Sequence, residues 1–322
     1  MQQAWLHRGA VAIALAPLAI VFGALTAVRR LLYRRGWRTT TTLRVPVVVV
    51  GNLIVGGAGK TPTVIAVVAA LRRHGFTPGI VSRGYGAQIG APRAATVASN
   101  AAEVGDEPIL LSRRGGCPVW VGADRVRVAA LLRAAHEDVN VLLLDDGLQH
   151  YAMRRDLEIA VVDARGFGNG FLLPAGPLRE PKSRLRSVDA VVSHASPVQG
   201  HAMTLRGEEL HRMTDARERQ PLKAFAGQRV HAVAGIGDPN RFFLHLGKAG
   251  IKVLPHPFPD HHPFTPKDLE FGDQLPVLLT EKDAVKLRSV AQPHWWVLPV
   301  SAQLDPAFGP WLLSRLAPGK TR

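Results

Sequence analysis

The chain has 322 residues, enough for two domains, and its 47% hydrophobic and 20% charged residues indicate a folded protein rather than a disordered one. A single cysteine, Cys117, excludes a disulfide framework and a cysteine-based zinc cluster. The net charge is +15, and twelve Lys and Arg residues with no Asp or Glu precede Glu103. Because the excess positive charge lies at one end, we expect a membrane, a nucleic acid or a phosphorylated substrate to face that end.

An apolar run at residues 10–28 is followed by Arg29, Arg30, Arg34 and Arg35. As a helix its 19 residues would extend about 28 Å, just under the ~30 Å hydrocarbon core of a bilayer. The position of the arginines after the run argues against a cleaved signal peptide. A membrane span, a helix held at the membrane interface and a buried core helix all stay open. The interface is favoured, because each arginine can bind anionic head groups with about 1 kcal/mol.

Strand and helix patterns alternate beyond the apolar run. Four consecutive valines at 47–50, bounded by Pro46 and Gly51, indicate a strand buried on both faces, as in a parallel sheet. The alternation predicts an open α/β sheet with helices on both faces. Further strands are predicted at 79–82, 119–121, 141–144, 157–162 and 188–193, and helices at 61–74, 107–112 and 124–135.

A polar stretch at 196–220 lacks long apolar runs and is predicted to be a linker. The predicted organisation is a membrane-associating segment at 1–38, a first α/β domain with its linker at 39–225 and a smaller α/β domain at 226–322. Two such lobes imply a cleft between them, a favoured place for a ligand. In the second domain, strands are predicted at 230–234, 252–255, 276–279 and 295–300, and helices at 239–249, 266–271 and 282–287.

A glycine-rich loop stands between the valine strand and the next helix. Backbone N–H groups of such a loop, together with the helix N-terminus, bind phosphate oxygens, while the lysine reaches the β- and γ-phosphates and the threonine ligates Mg²⁺. The general pattern has glycine where this chain has Ile54, so a glycine-rich turn with a chance Lys-Thr is the alternative. The order strand, loop, helix favours nucleotide binding. The loop consists of Gly56, Gly57, Ala58, Gly59, Lys60, Thr61 and Pro62.

Two carboxylates, Asp145 and Asp146, follow another buried strand. The carboxyl ends of parallel strands meet at one edge of a sheet, so we expect both beside the glycine-rich loop, where a carboxylate can hold Mg²⁺. A turn or helix cap explains one such aspartate more readily than two. Gln149 and His150 follow near the same edge.

A proline-rich loop, residues 174–181, presents Arg179 and Glu180. An exposed salt bridge between them would contribute little to stability. The enclosing prolines indicate that the pair is held in position.

Asp106 stands at a predicted helix start, where spacing alone favours a helix cap. The segment 258–264 contains Asp260, His261 and His262. A metal site and a general-base pair of one histidine with a carboxylate are both open for these residues.

Taken together, these motifs resemble the tetraacyldisaccharide 4′-kinase family, the lipid A 4′-kinases. The resemblance extends from about residue 45 to about residue 300, and its motifs are specific as a set. Its blocks are Val49-Val-Gly-Asn52, the glycine-rich loop, Ser82-Arg-Gly-Tyr-Gly86, Gly105-Asp-Glu-Pro108, Asp124-Arg125, Asp145-Asp-Gly-Leu-Gln-His150, Pro174-Ala-Gly-Pro-Leu-Arg-Glu180, Phe258-Pro-Asp-His-His262 and Thr280-Glu-Lys-Asp283.

The resemblance implies transfer of the γ-phosphate of ATP, with Mg²⁺, to the 4′-hydroxyl of a tetraacyldisaccharide 1-phosphate, forming lipid IV-A. It implies two α/β/α lobes, the first a P-loop kinase lobe with a mostly parallel sheet, and an N-terminal hydrophobic helix at the cytoplasmic face of the inner membrane.

The resemblance also implies roles for individual residues. Asp106 corresponds to the catalytic base and His261 to its partner, chosen over His262 because it directly follows the aspartate. Since the pair lies in different lobes, we expect it to act together only when the cleft closes. The resemblance implies substrate contacts for Arg83, Tyr85, Gln149, His150 and Arg179, and metal contacts for Thr61, Asp145, Asp146 and Glu180.

Two other protein classes compete on the residues alone. A membrane-associated P-loop ATPase of the partitioning type has lysine early in its loop, where this chain has Val55. A nucleic-acid binder suits the basic pI, but no helix-turn-helix or aromatic-basic strand motif is present in the sequence. We therefore expect an anionic membrane surface and the lipid disaccharide as partners, with no nucleic acid and no obligatory protein partner.

Overall fold

The computed structural model describes residue 5 and residues 7–196 and 198–316. Its α-helices are α1 (Ala10–Ala14), α2 (Ala16–Arg34), α3 (Lys60–Arg73), α4 (Ala101–Val104), α5 (Asp106–Gly115), α6 (Arg125–Ala135), α7 (Pro239–Lys248), α8 (Glu281–Ala284) and α9 (Phe308–Leu316). Its strands are β1 (Val47–Gly51), β2 (Pro78–Ser82), β3 (Arg93–Ala94), β4 (Val119–Val121), β5 (Val141–Asp145), β6 (Leu157–Val162), β7 (Ala190–Ser193), β8 (His201–Arg206), β9 (Glu209–Arg212), β10 (Arg219–Pro221), β11 (Arg229–Ala234), β12 (Lys252–Pro257), β13 (Val277–Thr280), β14 (Trp295–Leu298) and β15 (Ser301–Leu304).

The first lobe is built on a sheet that has nine strands within the described residues, in the order β15-β8-β7-β6-β1-β5-β2-β4-β3. Only β3 and β15, at its two edges, run antiparallel to their neighbours. In β1, Val48 and Val50 pack into one apolar cluster, and Val47 and Val49 pack into a second cluster. The sheet is therefore covered on both faces, which confirms the predicted α/β fold.

The second lobe contains a sheet that, in the described part of the chain, has six strands in the order β10-β9-β14-β13-β11-β12. The central strands β11 to β14 are parallel, and β9 and β10 form an antiparallel edge. Two predicted helices are shorter or tighter than expected. Residues 266–271 form a 3₁₀ helix over Pro266–Leu269, and α8 continues as a 3₁₀ helix over Val285–Val290.

The predicted linker at 196–220 is wrong in part, because the described residues of this stretch form β8, β9 and β10. In β8 only Met203 is buried among half-exposed and exposed neighbours, so the strand has no apolar run. Strand pairing also differs from the predicted domain bounds. β9 and β10 join the second sheet, while β15 returns to the first sheet and α9 packs into the first lobe's core through Phe308. Residues 1–4 and 6 of the predicted first segment and 317–322 of the predicted last domain lie outside the described residues.

The apolar run at the N-terminus forms α1 and α2, and α2 is the one helix within the described residues that is long and apolar enough to cross a membrane. One narrow face of small residues lies against the first lobe. A Cβ at Gly23 would come within 2.7 Å of Leu172, and Trp5 Nε1 donates to Pro174 O at 3.0 Å. The opposite face exposes its large side chains, so the alternative of a buried core helix is wrong. That exposed face carries Leu18, Ile20, Val21, Leu25, Val28 and Leu31.

Candidate active site

The glycine-rich loop connects β1 to α3, as predicted. Gly56 and Gly59 have φ angles of 93° and 83°, in the left-handed region that favours glycine, and Gly59 forms the N-cap of α3. Lys60 Nζ donates to Asn52 Oδ1 and to Gly56 O, each at 3.3 Å. The loop thus presents backbone N–H groups and a buried lysine at a helix N-terminus, the arrangement that binds phosphate.

Two parts of the chain outside the predicted site residues contact this loop. Arg165, paired with buried Asp163, donates from Nη2 to Gly57 O at 2.6 Å. From the second lobe, Gly237 lies so close that a Cβ there would be 2.9 Å from Gly57 N. Sequence analysis missed these contacts, because no local pattern marks a residue that approaches the loop from another element.

Asp145 ends β5 directly beside the loop, since Val50 of β1 pairs with Asp145 in the parallel register. Its Oδ2 accepts a hydrogen bond from Ser82 Oγ at 3.0 Å. Its Oδ1 is buried and has no hydrogen-bond partner among the described residues. Burial, together with the charges of Glu107 and Asp146, raises the pKa of Asp145 to about 7, against the opposing charge of Lys60.

Asp146 lies in a more positive environment. Burial would raise its pKa, but the charges of Lys60 and Arg179 lower it to about 2. Its Oδ1 is 3.8 Å from Lys60 Nζ. The backbone of Asp146 has a φ of 49°, an uncommon conformation for a residue with a side chain. Local strain of this kind is held only where surrounding contacts fix it, and it is common at functional sites.

Arg179 joins the proline-rich loop to this cluster. Its guanidinium pairs with Asp146 and donates from Nη1 to Gln149 Oε1 at 3.2 Å. Arg179 Nη2 also donates to Asn52 Oδ1, and the Arg179 backbone N–H donates to Leu53 O at 2.7 Å. These contacts hold Arg179 in a fixed position beside the glycine-rich loop, as the enclosing prolines predicted.

Glu180 has a different set of contacts. Its two carboxylate oxygens accept from the Tyr151 hydroxyl and from Gln149 Nε2, the latter at 3.1 Å, and Arg184 Nε lies 3.7 Å away. A metal-binding role for Glu180 stays a prediction and would require it to exchange one of these contacts for the ion. In the described structure Glu180 orients Gln149.

His150 is partly buried, and burial with the charges of Arg125, Arg155 and Arg29 lowers its pKa to about 4. Its Nε2 has no hydrogen-bond partner in the described part of the chain. The ring is therefore neutral near pH 7, and its buried nitrogen has an unmet hydrogen-bonding capacity of the kind a ligand can satisfy.

Asp106 and His261 lie within hydrogen-bond distance of each other. His261 Nδ1 is 3.1 Å from both carboxylate oxygens of Asp106, although the residues are 155 positions apart. His262 instead pairs with Asp268 at 3.4 Å. Asp106 is the first residue of α5, and the N-cap is Gly105, so the helix-cap interpretation is wrong. The pair is in contact across the two lobes, and the expectation that the two residues act together only when the cleft closes stays a prediction.

Positive groups surround this pair from the second lobe. Lys286 Nζ is 3.6 Å from Asp106 Oδ2, and Lys282 Nζ is 3.2 Å from His261 Nε2. Burial would raise the pKa of Asp106, but the hydrogen bond from His261 and the charges of both lysines lower it to about 2. Asp106 is therefore a carboxylate at any physiological pH. The sequence block 280–283 contains Lys282, but nothing in its pattern indicated that Lys282 would contact His261 or lower the pKa of Asp106.

A cavity of about 690 Å³ opens beside the pair, between the lobes. Tyr85 stands at its rim, mostly exposed, with its ring centroid 5.0 Å from that of His261. Arg83 is also exposed, two residues before Tyr85. The cavity wall includes Asn100, Asp106, His261, Phe264, Lys286 and Arg288.

Comparison with known proteins shows the family of this chain. The family model described as tetraacyldisaccharide-1-P 4′-kinase matches residues 11–317. Curated relatives named tetraacyldisaccharide 4′-kinase include one from Methylobacillus flagellatus, 48% identical over 98% of this chain and 95% of the relative. Another, from Aromatoleum aromaticum, is 50% identical over 98% of this chain and 97% of the relative.

A solved structure is similar to this chain along nearly the whole length of both. LpxK from Aquifex aeolicus, crystallised in complex with ATP, has a TM-score of 0.79 and 29% identity, covering 95% of this chain and 99% of that chain. The chain therefore belongs to the tetraacyldisaccharide-1-P 4′-kinase family and is an enzyme, a kinase.

Proposed function

We propose that this chain transfers the γ-phosphate of ATP to the 4′-hydroxyl of a tetraacyldisaccharide 1-phosphate, giving lipid IV-A in lipid A biosynthesis. The observation that carries the proposal is that a buried aspartate–histidine pair lies close to the glycine-rich loop: a Cβ at Gly237 would be 2.9 Å from Gly57 N and 3.5 Å from Oδ2 of Asp260, the residue before His261. Catalysis of phosphoryl transfer consists largely of positioning and charge stabilisation. We assign the stabilisation of phosphate charge to the glycine-rich loop and the positioning of the hydroxyl proton acceptor to the aspartate–histidine pair.

The glycine-rich loop binds the ATP phosphates through its backbone N–H groups and Lys60. Lys60 Nζ lies 3.8 Å from Asp146 Oδ1, and Arg179 pairs with the same carboxylate. These two cations would stabilise negative charge on the phosphates. In comparable sites, removal of a single donor costs about 3–4 kcal/mol of transition-state stabilisation.

Mg²⁺ is proposed to bind at the carboxyl end of β5. Two features of Asp145 support the proposal: its Oδ1 is buried without a hydrogen-bond partner among the described residues, and the pKa of its carboxyl group is raised. A cation bound there would contact this oxygen and neutralise the negative charge of the carboxylate. Thr61, Asp145 and Asp146 would hold the ion, which neutralises phosphate charge when bound. Among the described residues no three His, Cys, Asp or Glu form a metal cluster, in keeping with a site completed by phosphate oxygens and water.

Asp106 is proposed as the base that accepts the proton of the 4′-hydroxyl. It is ionised, buried and held by His261, and it opens into the cavity between the lobes. A positioned base contributes about 10²–10⁴-fold to such a reaction. The cavity would receive the sugar that carries the hydroxyl, with Tyr85 at its rim. Exposed Arg83, two residues before Tyr85, is proposed as a further substrate contact. Gln149 and His150 are proposed as further substrate contacts from the β5 side.

The apolar face of α2 is proposed to associate with the anionic surface of the inner membrane from the cytoplasmic side. Large apolar side chains are exposed along this face, and Arg29, Arg30, Arg34 and Arg35 follow at its end. An apolar face with adjacent arginines is the pattern of an interfacial helix. The proposal also gives the kinase access to an acceptor whose acyl chains lie in the bilayer.

The proposal is tested by a thin-layer assay of γ-labelled ATP with the disaccharide 1-phosphate as acceptor. The wild-type chain should transfer label to the lipid. Lys60→Ala should lower turnover by at least ~10²-fold, because the migrating phosphoryl group loses a stabilising charge. Lys267→Ala, which changes an exposed lysine of the second lobe, is the matched control. Wild-type turnover in Lys60→Ala would contradict the assignment of the loop.

A further inference from the structure

Lys282 contacts Nε2 of His261, the ring nitrogen that does not face Asp106. Its Nζ lies 3.2 Å from His261 Nε2, 2.9 Å from Asp260 Oδ1 and 3.3 Å from Glu107 Oε1. An ammonium group has only donors, so Nε2 must be the acceptor in this contact. The single proton of the neutral ring is then on Nδ1, the nitrogen that lies 3.1 Å from both oxygens of Asp106.

We propose that Lys282 is a positioning residue for the base: by donating to His261 Nε2 it directs the remaining ring proton, on Nδ1, to the Asp106 carboxylate. This inference rests on the proposed function of Asp106, which it deepens. It assigns a role to a second-lobe lysine that touches neither the glycine-rich loop nor the strand-end carboxylates in the contacts described.

The charge arrangement keeps Lys282 protonated. Burial alone would lower its pKa, but the charges of Glu107, Asp106 and Asp260 raise the pKa above its ordinary value. Glu107 belongs to the first lobe and Lys282 to the second, so the ammonium also links the two halves of the cleft. The donor that faces His261 is thus present over the whole physiological pH range.

The backbone of His261 supports the same conclusion. Its φ of 62° lies in the left-handed region, an uncommon conformation for a residue with a side chain, which persists only where contacts fix it. Asp106, Lys282 and the ring of Tyr85 surround the imidazole from three sides. The strained backbone and these contacts together determine which nitrogen faces which partner.

Several charged groups near the His261 ring raise or lower its pKa. Asp106 and Glu107 approach from α5, Asp260 is the preceding residue, and Lys282 and Lys286 approach from the helices that follow β13. Burial lowers the pKa of His261, the hydrogen bond to Asp106 raises it, and Lys282 lowers it, with a net value above the ordinary one. Removal of Lys282 should therefore favour the imidazolium.

The consequence for the reaction concerns the basicity of Asp106. A neutral imidazole that donates from Nδ1 orients the carboxylate and leaves its negative charge available for the hydroxyl proton. An imidazolium would add a full positive charge beside it and weaken its basicity further. Lys282, with its own charge shared between Glu107 and Asp260, opposes that second protonation.

The test is ¹⁵N NMR of the histidine rings in the full-length protein in detergent micelles, with His261→Gln used to assign the His261 signals. In the wild type, above the pKa of the ring, Nδ1 should carry the proton and Nε2 should not. In Lys282→Met the pKa of His261 should rise by about one unit or more, and the Nε2–H tautomer should become populated. Lys282→Arg, which keeps a cationic donor, should restore the wild-type pattern, and Lys267→Met should not alter it.

The same variants are compared in turnover. The acid limb of the kcat profile should move to higher pH in Lys282→Met, while KM for ATP changes less than about twofold because the contacts of Lys282 are with His261, Asp260 and Glu107 and not with the glycine-rich loop. The inference is overturned if the wild-type ring carries its proton on Nε2, or if Lys282→Met leaves both the tautomer and the pKa unchanged. The NMR result is obtained without substrate, so it stands or fails separately from the proposed kinase reaction.

Discussion

Arg179 forms a two-point ion pair with Asp146: Nη1 lies 2.9 Å from Oδ2, and Nη2 lies 3.0 Å from Oδ1. The same guanidinium donates from Nε and Nη2 to the carbonyl oxygen of Ile54, at 3.2 and 3.1 Å. One side chain therefore fixes a strand-end carboxylate relative to the backbone that leads into the glycine-rich loop. A planar guanidinium can hold this geometry, whereas an ammonium group makes single-point contacts.

Arg179→Lys should therefore lower turnover by about 10–10²-fold although the charge is kept, since one or two charge-assisted hydrogen bonds worth about 1.5–3 kcal/mol each are lost. Labelled phosphate transfer at saturating ATP measures the change. Arg186→Lys, which alters an exposed arginine seven positions away, is the matched control. Equal turnover in the two variants would show that charge alone, and not the fork of Arg179, matters at this position.

The site contains some features that follow from local sequence pattern and others, such as the contacts of Ile54, that do not. Strand, loop and helix follow from local pattern, and the pairing of Val50 with Asp145 follows from the parallel sheet. At Ile54, where the general pattern has glycine, the side chain is buried and the backbone forms a bridge to Leu178. No local pattern reveals such a contact between segments more than 120 positions apart.

The same limit applies to the fold and to the second half of the site. β8 and β9 were missed because only one face of each is buried, so their apolar residues never form a run. The pairing of His261 with Asp106 was available only through the family resemblance. Lys282 lies in a block that the resemblance also marks, but its contact with His261 depends on how the two lobes meet.

The low pKa of His150, about 4 against an ordinary 6.5, predicts a pH dependence of stability. Between these values the unfolded chain binds a proton that the folded chain does not, so the free energy of unfolding falls as the pH drops from about 6.5 toward 4. His150→Gln should make this fall shallower. Urea unfolding at about pH 7.5 and about pH 5 measures the difference, with exposed His7→Gln as the control. Parallel losses in the wild type and His150→Gln would contradict the burial of a neutral ring.

The exposed face of α2 predicts a loss of membrane association on point substitution. Leu25→Glu should reduce partition into vesicles that contain anionic lipid by at least about tenfold, since a buried leucine contributes about 1.5–3 kcal/mol. Leu244→Glu is a close control, because Leu25 and Leu244 are both 65% exposed and Leu244 lies in the second lobe. Point substitution is preferable to deletion, since Trp5 and Gly23 pack against the first lobe. Equal partition of both variants would place the membrane contact elsewhere.

The Asp106–His261 pair predicts non-additive losses of activity. Asp106→Asn keeps the shape of the buried side chain but removes the charge, and His261→Ala removes the donor that orients it. Each change should lower turnover by roughly 10²-fold or more, because a positioned base is lost or misdirected. If the histidine acts only through the carboxylate, then once Asp106 is neutral the loss of His261 should cost little more. The double variant should therefore resemble the more damaged single variant.

A double-mutant cycle on turnover at saturating ATP measures this coupling, and the affinity for ATP should change little because neither residue contacts the glycine-rich loop in the bonds described. His262→Ala is the neighbouring control, since His262 pairs with Asp268 and not with Asp106, and it should keep most of the turnover. Losses that multiply fully would mean that the two residues act independently. The 3.1 Å contact would then be a structural link between the lobes rather than part of the base.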